Sequence, residues 1–167
     1  MRGLAQGIKA PDINRVQVKI KNFPAREFNL VQLSDVHVGR TIQRDFIEDL
    51  VRRTNALAPD MVVITGDLID LHIDQIRHDL QPLADLQAPV YFITGNHEYF
   101  HGVEAAIEFV KTLGIKPLLN ENRVIQTAQG QFNLIGINDL IGERMQVLPP
   151  DFEQAYAGIN PDLPCIV

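Results

Sequence analysis

Three short apolar runs along this chain each end in a cluster of polar residues. The runs are 29–33, 61–65 and 90–94, and their β-branched and aromatic side chains, bounded by turn formers, are typical of buried parallel strands. The polar clusters that follow them are residues 34–37, 66–70 and 95–98. Because the clusters recur about thirty residues apart, one strand–helix unit each, they predict a polar site assembled along one edge of a sheet.

The segments between and after these runs carry apolar residues at helical spacing. Residues 41–57 and 72–86 predict two crossover helices, the second with a kink or an early break at Pro82. Residues 102–113 predict a third helix that ends at Gly114. Strands that alternate with helices predict an α/β fold whose first sheet is mostly parallel.

Later segments predict a second sheet. Residues 123–127 and 131–137 flank a turn that contains Gly130, which is typical of a β-hairpin. A short helix is expected around 152–157, and the last residues, from Pro164, read as the start of another strand. The fold is therefore expected to be a sandwich with sheets inside and helices outside. At 167 residues, the chain is long enough to bury ~70% of its unfolded surface in a single domain.

The polar clusters contain the side chains that bind divalent cations. Asp and Asn offer oxygen and His offers an imidazole nitrogen, which suit hard or borderline ions. In open α/β sheets, ligands bind outside the carboxyl ends of parallel strands, where all three clusters fall. Gly39, Gly66 and Gly95 permit close backbone approaches that a Cβ would block, so neighbouring side chains can turn toward a shared centre. The sequence therefore predicts a metal site at this edge of the sheet.

The motifs Asp-x-His (35–37), Gly-Asp-x-x-Asp (66–70) and Gly-Asn-His-Glu (95–98) occur here in this order. This combination resembles the first three motifs of the calcineurin-like metallophosphoesterases, and the resemblance covers roughly residues 16–140. Within that family it is most similar to the bacterial phosphohydrolase branch, whose members often follow a membrane segment. The branch includes enzymes that act on UDP-diacylglucosamine or other lipid-linked diphosphates. The resemblance implies part of a four-layer αββα sandwich.

The resemblance also implies a role for each residue of the motifs. Asp35 and His37 would bind one metal ion, Asp67 would bridge two ions, and Asn96 would bind the second. His97 would then be the acid near the leaving group, oriented by Asp70. The cofactors would be two divalent ions, with Mn, Fe, Zn and Mg all open, and a bridging hydroxide would attack the phosphorus.

The later motifs of the family have no counterpart in this sequence. The family pattern continues with a strand that ends in a His ligand and then a Gly-His-x-His motif, whereas every histidine here lies at or before His101. We therefore expect residues 1–167 to form a single domain. It would be the N-terminal portion of a metallophosphoesterase domain, without the C-terminal metal-ligand motifs. We expect weak metal binding and little or no turnover from this chain alone.

Two positions bear on the substrate. Protein Ser/Thr phosphatases of this superfamily carry a phosphate-gripping Arg where this chain has Leu71 and Thr94. The alternative that this chain is a Ser/Thr-type protein phosphatase is therefore weakened. The substrate is expected to be a small-molecule or lipid-linked phosphoester, either a phosphodiester or a lipid-linked diphosphate. Arg40 and Arg44 follow the first cluster and suit contact with a phosphate, although solvated basic residues explain them equally well. His101 is a third candidate for substrate contact because it shares a loop with His97.

Three classes of function stay open at this point. The first is a metal-dependent phosphoester hydrolase, which the motifs favour. The second is a noncatalytic domain that binds a metal ion or nucleotide without turnover, and the absent late histidines support it. The third is a purely structural α/β domain, which three ligand clusters at three successive strand ends make improbable.

The overall charge limits the partners. A net charge of −6 and a pI near 5.3 exclude the electrostatic footprint of a nucleic-acid-binding protein. No apolar run approaches the ~20 residues of a membrane-spanning helix, so a cytoplasmic location is expected, with membrane association in a longer parent protein as an alternative. The opening stretch carries the basic residues Arg2, Lys9, Arg15, Lys19 and Lys21. This stretch could lie against an anionic membrane or form a basic edge strand, and both explanations stay open. The oligomeric state of the protein is also open.

Overall fold

The computed structural model describes residues 11–167. Its first sheet contains four strands: β1 (Leu30–Leu33), β2 (Met61–Thr65), β3 (Val90–Ile93) and β4 (Lys116–Pro117). The strands are ordered β1-β2-β3-β4 and every pair is parallel. The predicted parallel sheet is therefore confirmed. The strand β4 was not predicted, because two residues are too few to show a pattern.

Six helices accompany the strands in the described part of the chain. They are α1 (Arg44–Ala56), α2 (Ile73–Leu80), α3 (Asn96–His101), α4 (Val103–Thr112), α5 (Ile141–Met145) and α6 (Phe152–Tyr156). The helix α2 gives way to a 3₁₀ turn at Gln81–Asp85 that contains Pro82, as the early break predicted. Loop structure was expected around His97 and His101, and this was wrong because both residues lie on α3.

The helices α1, α2 and α4 cover one face of the first sheet. They share a buried core with β2 and β3, to which Ile47, Ile64 and Ile73 contribute side chains with no exposed surface. Burying a side chain of this kind stabilises the fold by about 1.5–3 kcal/mol. This apolar layer fixes the strand ends that carry the polar clusters.

The second sheet contains β5 (Glu121–Thr127), β6 (Gly130–Gly136) and β7 (Cys165–Ile166). The strands β5 and β6 form the predicted antiparallel hairpin, in which Thr127 pairs with Gly130, and β7 pairs parallel with β6. The short helix α6 lies where a helix was expected and contacts β5 and β6. The helix α5 was not predicted.

The two sheets pack face to face through a second apolar cluster. Met61, Tyr91 and Leu118 contribute from the first sheet and its β4 extension, and Phe132 and Leu134 from β6. A Cβ at Gly136 would lie 2.3 Å from the Cβ of Leu118, so a glycine is required where β6 passes this residue. The expected α/β arrangement, with sheets inside and helices outside, is therefore present in the described residues.

The start of the chain bears on the membrane hypothesis. Arg2 and Lys9 lie outside the described residues, and Arg15, Lys19 and Lys21 are exposed. The first strand within residues 11–167 begins at Leu30, so the alternative of a basic edge strand was wrong for Arg15, Lys19 and Lys21. Among the described helices, none has the length and apolar character needed to cross a bilayer.

Candidate metal centre

The first two polar loops run side by side at the carboxyl ends of β1 and β2. The backbone N–H of His37 donates to the carbonyl of Asp67 at 3.0 Å, and that of Val38 donates to Leu68 at 2.8 Å. A hydrogen bond also runs in the reverse direction, because the N–H of Asp70 in the second loop donates to the carbonyl of Val38 in the first at 2.8 Å. The loops thus extend the parallel pairing beyond the strands and hold their side chains at one edge.

Three residues of these loops adopt a left-handed backbone. Their φ angles are 55° at Asp35, 53° at His37 and 49° at Asp67. This conformation costs a residue with a Cβ roughly 1–2 kcal/mol. Strained backbone persists only where surrounding contacts enforce it, and it concentrates at active sites and ligand clamps. All three residues are among the predicted metal ligands.

The third loop approaches the second without room for a side chain. A Cβ at Gly95 would lie 2.4 Å from Oδ1 of Asp67, and one at Gly39 would lie 2.9 Å from the Cβ of Asp70. The glycines therefore permit the close approach that their positions predicted.

Asp67 is the point where the second and third loops meet. Its Oδ1 accepts the backbone N–H of His97 at 3.0 Å. The side chain of Asn96, with its amide nitrogen turned toward Asp67, donates to both carboxylate oxygens at 3.0 Å. Asp67 and Asn96, which were predicted to share an ion, are therefore in direct contact.

Asp70 joins two histidines. Its Oδ1 lies 2.7 Å from Nδ1 of His37 and 2.7 Å from Nδ1 of His97, and the two rings meet edge to face with centroids 4.4 Å apart. Partial burial raises the pKa of Asp70, but the hydrogen bonds and charges of His37 and His97 outweigh it, and the net pKa lies below the ordinary value. The family resemblance implied the partnership with His97. It gave no signal for the one with His37, which depends on the loops lying side by side.

Glu98 is a buried carboxylate that hydrogen-bonds to the backbone of the second and third polar loops. It has no exposed surface and accepts the backbone N–H groups of Gly95 at 2.7 Å, Leu68 at 2.8 Å and Asp67 at 3.0 Å. Burial raises the pKa of Glu98 despite these hydrogen bonds. The contact with Gly95 is half of a capping box, because Glu98 is the third residue of α3. This pattern, Gly95 and Glu98 before Gly102, was the available signal for α3.

Two groups of side chains could each hold a metal ion. His37, Asp67 and His97 form the first, and Asp70, His97 and His101 form the second; within each group one ligand atom per residue lies within 4.8 Å of the others. Among residues 11–167, Asp35 belongs to neither group. It is exposed and accepts a hydrogen bond from the hydroxyl of Ser34.

The candidate substrate residues differ in their surroundings. The guanidinium of Arg44 donates to Glu48 at 2.7 Å and to the carbonyl of His78 at 2.9 Å, which ties it to α1 and α2. Arg40 is exposed, and its guanidinium has no hydrogen bond or ion pair within the described residues. His101 is half-buried with its ring centroid 5.9 Å from that of His97. The structure therefore brings His101 to the centre and engages Arg44 elsewhere.

The two positions that bear on protein phosphatases pack against other parts of the protein. Leu71 is partly buried against the core under the first sheet. Thr94 is buried, and its hydroxyl lies 3.4 Å from that of Tyr99.

Comparisons with known proteins agree with this geometry. The family model described as calcineurin-like phosphoesterase matches residues 28–161. An uncharacterized metallophosphoesterase of Helicobacter pylori is 33% identical over 168 residues, which cover 99% of this chain and 44% of that protein. A transmembrane protein with metallophosphoesterase domain from Bos taurus is 33% identical over 99% of this chain and 40% of its own length. The phosphodiesterase YaeI of Escherichia coli is 31% identical over 78% of this chain and 50% of its own length. The chain thus spans half or less of the length of these relatives.

Proposed function

This chain belongs to the calcineurin-like phosphoesterase family, and we propose that its polar edge binds two divalent cations and hydrolyses a phosphoester. The observation that carries the proposal is the convergence on Asp67. Asn96 and the backbone of His97 contact its carboxylate at 3.0 Å, and imidazole nitrogens of His37 and His97 lie within 4.8 Å of it. Oxygen and imidazole ligands gathered this closely suit a divalent ion.

The spacing of Asn96 and Asp67 fits a coordination shell. A half-turn of the amide would bring Oδ1 of Asn96 to the same 3.0 Å from the oxygens of Asp67. Adjacent ligand atoms around an octahedral ion with bonds of about 2.1 Å are about 3 Å apart. The left-handed backbone of Asp35, His37 and Asp67 supports the same reading, because it is unfavourable strain that a ligand-binding loop commonly carries.

We assign the ligands as the family motifs imply. Asp35 and His37 would hold one ion, Asp67 both, and Asn96 the second. When bound, the ions would activate a water molecule and neutralise charge on the phosphoryl oxygens. His97 would give a proton to the departing oxygen. The hydrogen bond from Nδ1 of His97 to Asp70 fixes the ring and leaves Nε2 as the proton donor.

The substrate is proposed to be a small-molecule or lipid-linked phosphoester, either a phosphodiester or a lipid-linked diphosphate. The name of YaeI as a phosphodiesterase supports the first, and a relative named as a transmembrane protein supports contact with a membrane. Arg40 would grip a phosphate, since its exposed guanidinium follows the first polar loop. A protein phosphatase is disfavoured because Leu71 and Thr94 stand where those enzymes carry a phosphate-gripping Arg.

Calorimetric titration with Mn²⁺ tests the metal centre. We expect the chain to release binding heat that Asp67→Ala abolishes, because that carboxylate would serve both ions. Asp162→Ala is the matched control, since Asp162 is an exposed carboxylate in the C-terminal segment. Equal heats from wild type and Asp67→Ala would remove the metal hypothesis. Because we expect little or no turnover from residues 1–167 alone, turnover of bis-p-nitrophenyl phosphate by a version that also carries the family's later histidine motifs would then distinguish hydrolysis from metal binding without catalysis.

A further inference from the structure

We propose that α3 carries an additional cation site, formed by His97, His101 and Asp70, that takes a transition metal of the Zn²⁺ class. Asp70 and His101 are not among the ligands proposed for the two-ion site of Asp35, His37, Asp67 and Asn96, here called the Asp67 centre. His97 belongs to both sites, as a ligand in this one and as the proposed acid in the other. It depends on the histidine pair of α3 and does not depend on the proposed hydrolytic function.

The two histidines lie on one face of a helix. His97 and His101 are four residues apart on α3, and side chains four apart on a helix are neighbours. Their ring centroids are 5.9 Å apart. Residues 97–101 read His-Glu-Tyr-Phe-His, and a helical His-Glu-x-x-His segment is a zinc-binding arrangement in which both imidazoles face the same ion.

Asp70 supplies the third ligand. One ligand atom from each of Asp70, His97 and His101 falls within 4.8 Å of the other two, and all three residues are half-buried. A tetrahedral zinc ion with bonds of about 2.1 Å spaces its ligand atoms about 3.4 Å apart, which side-chain rotation from this arrangement reaches. Two imidazoles and a carboxylate suit zinc or cobalt better than Mg²⁺ or Ca²⁺.

The glutamate of the segment has a different task from the one it has in zinc peptidases. Glu98 has no exposed surface and accepts the N–H groups of Gly95, Asp67 and Leu68. It therefore cannot serve as a general base at this site. The site binds a cation without adding a peptidase reaction.

Sharing His97 couples this site to catalysis. An imidazole that coordinates a zinc ion through one nitrogen cannot also become an imidazolium, so Zn²⁺ at this site removes the proposed acid of the Asp67 centre. This consequence rests on the proposed function, and it predicts that excess Zn²⁺ inhibits phosphoester hydrolysis. Binding of the ion to α3 is independent of it.

The test is titration of the Mn²⁺-saturated chain with Co²⁺ and Zn²⁺, with binding itself as the readout. Co²⁺ in a tetrahedral site with nitrogen ligands absorbs in the visible range, so the absorbance reports the α3 site directly. We expect one additional equivalent in wild type and at least about 100-fold weaker binding in His101→Gln, since loss of a mere supporting contact to a ligand already costs 10–100-fold. The matched control is His78→Gln, because His78 is an exposed histidine on α2.

An additional equivalent that persists unchanged in His101→Gln would overturn the proposal. So would Co²⁺ absorbance that Asp35→Ala abolishes, because the ion would then occupy the Asp67 centre. Asp70→Asn gives a second variant on a different element, and it should weaken Co²⁺ binding in the same direction. Failure of the proposed function would be seen in a different measurement. In that case the heat of Mn²⁺ binding would be the same for wild type and Asp67→Ala.

Discussion

A Cβ placed on Gly66 would lie 2.4 Å from the backbone nitrogen of Gly95. At this point the second and third polar loops therefore touch through backbone, and this contact places Asp67 beside Asn96. Gly66 also has a left-handed φ of +82°. Two separate physical demands, space and backbone conformation, thus fall on one residue.

Gly66→Ala and Gly114→Ala separate those demands. Gly114 has a similar φ of +79° but nothing within 4 Å of its position for a Cβ. Both variants should lose about 1–2 kcal/mol from the left-handed backbone, and only Gly66→Ala should lose a further ~1–3 kcal/mol from overpacking. Urea unfolding measures both losses. Equal losses would contradict the close contact of the two loops.

Glu98→Ala tests the buried anchor. The substitution leaves the N–H groups of Gly95, Asp67 and Leu68 without their acceptor, and an unpaired buried donor costs about 1–3 kcal/mol. We expect a loss of at least about 3 kcal/mol in the free energy of unfolding, measured in urea. Glu108→Ala is the control, because Glu108 forms an exposed ion pair with Lys111 and should matter little. A small loss of unfolding free energy in Glu98→Ala would mean that the loops keep their arrangement without this carboxylate.

Metal binding should also stabilise the fold. Mn²⁺ at a hundredfold excess over its Kd should add ~2.7 kcal/mol to the free energy of unfolding, since the unfolded chain has no assembled site. The melting temperature of wild type should rise with Mn²⁺, and that of Asp67→Ala should not. Differential scanning calorimetry measures both. An Asp67→Ala protein that gains as much from Mn²⁺ as wild type would place the ion elsewhere.

The role of His97 is tested by the leaving group. A general acid contributes about 10²–10⁴-fold to rate when the departing oxygen is basic. In a version that also carries the family's later histidine motifs, His97→Ala should therefore slow hydrolysis of an alkyl phosphodiester far more than that of bis-p-nitrophenyl phosphate, whose leaving group needs no proton. His78→Ala should affect neither rate. Equal slowing of both substrates by His97→Ala would remove the acid role.

The sequence predicted most of the sheet and helix framework because those elements carry their own patterns. The apolar runs of β1, β2 and β3 and the stop at Pro82 are local signals. In contrast, β4 at Lys116–Pro117 exists only through pairing with β3, and α5 is a five-residue helix within a proline-bearing connection. Neither has enough residues to show a period.

The candidate site was predictable in its members and less so in its contacts. The motif spacing identified Asp67, Asn96 and His97 as members of one site. In the structure, the side chain of Asn96 and the backbone N–H of His97 each lie 3.0 Å from the carboxylate of Asp67. That Asp70 pairs with His37 as well as His97 requires knowing that the first two loops lie side by side. The expectation of little turnover from this chain alone stays a prediction, as does its cytoplasmic location.

The left-handed turns at Asp35, His37 and Asp67 have a kinetic consequence. Their geometry is already held by strand-like pairing and by Glu98, so the conformational entropy of arranging these residues is lost when the chain folds. Little rearrangement is then left for the moment when a cation arrives. Association should accordingly proceed at the pace at which the ion sheds its water shell, with loop motion contributing little to the barrier.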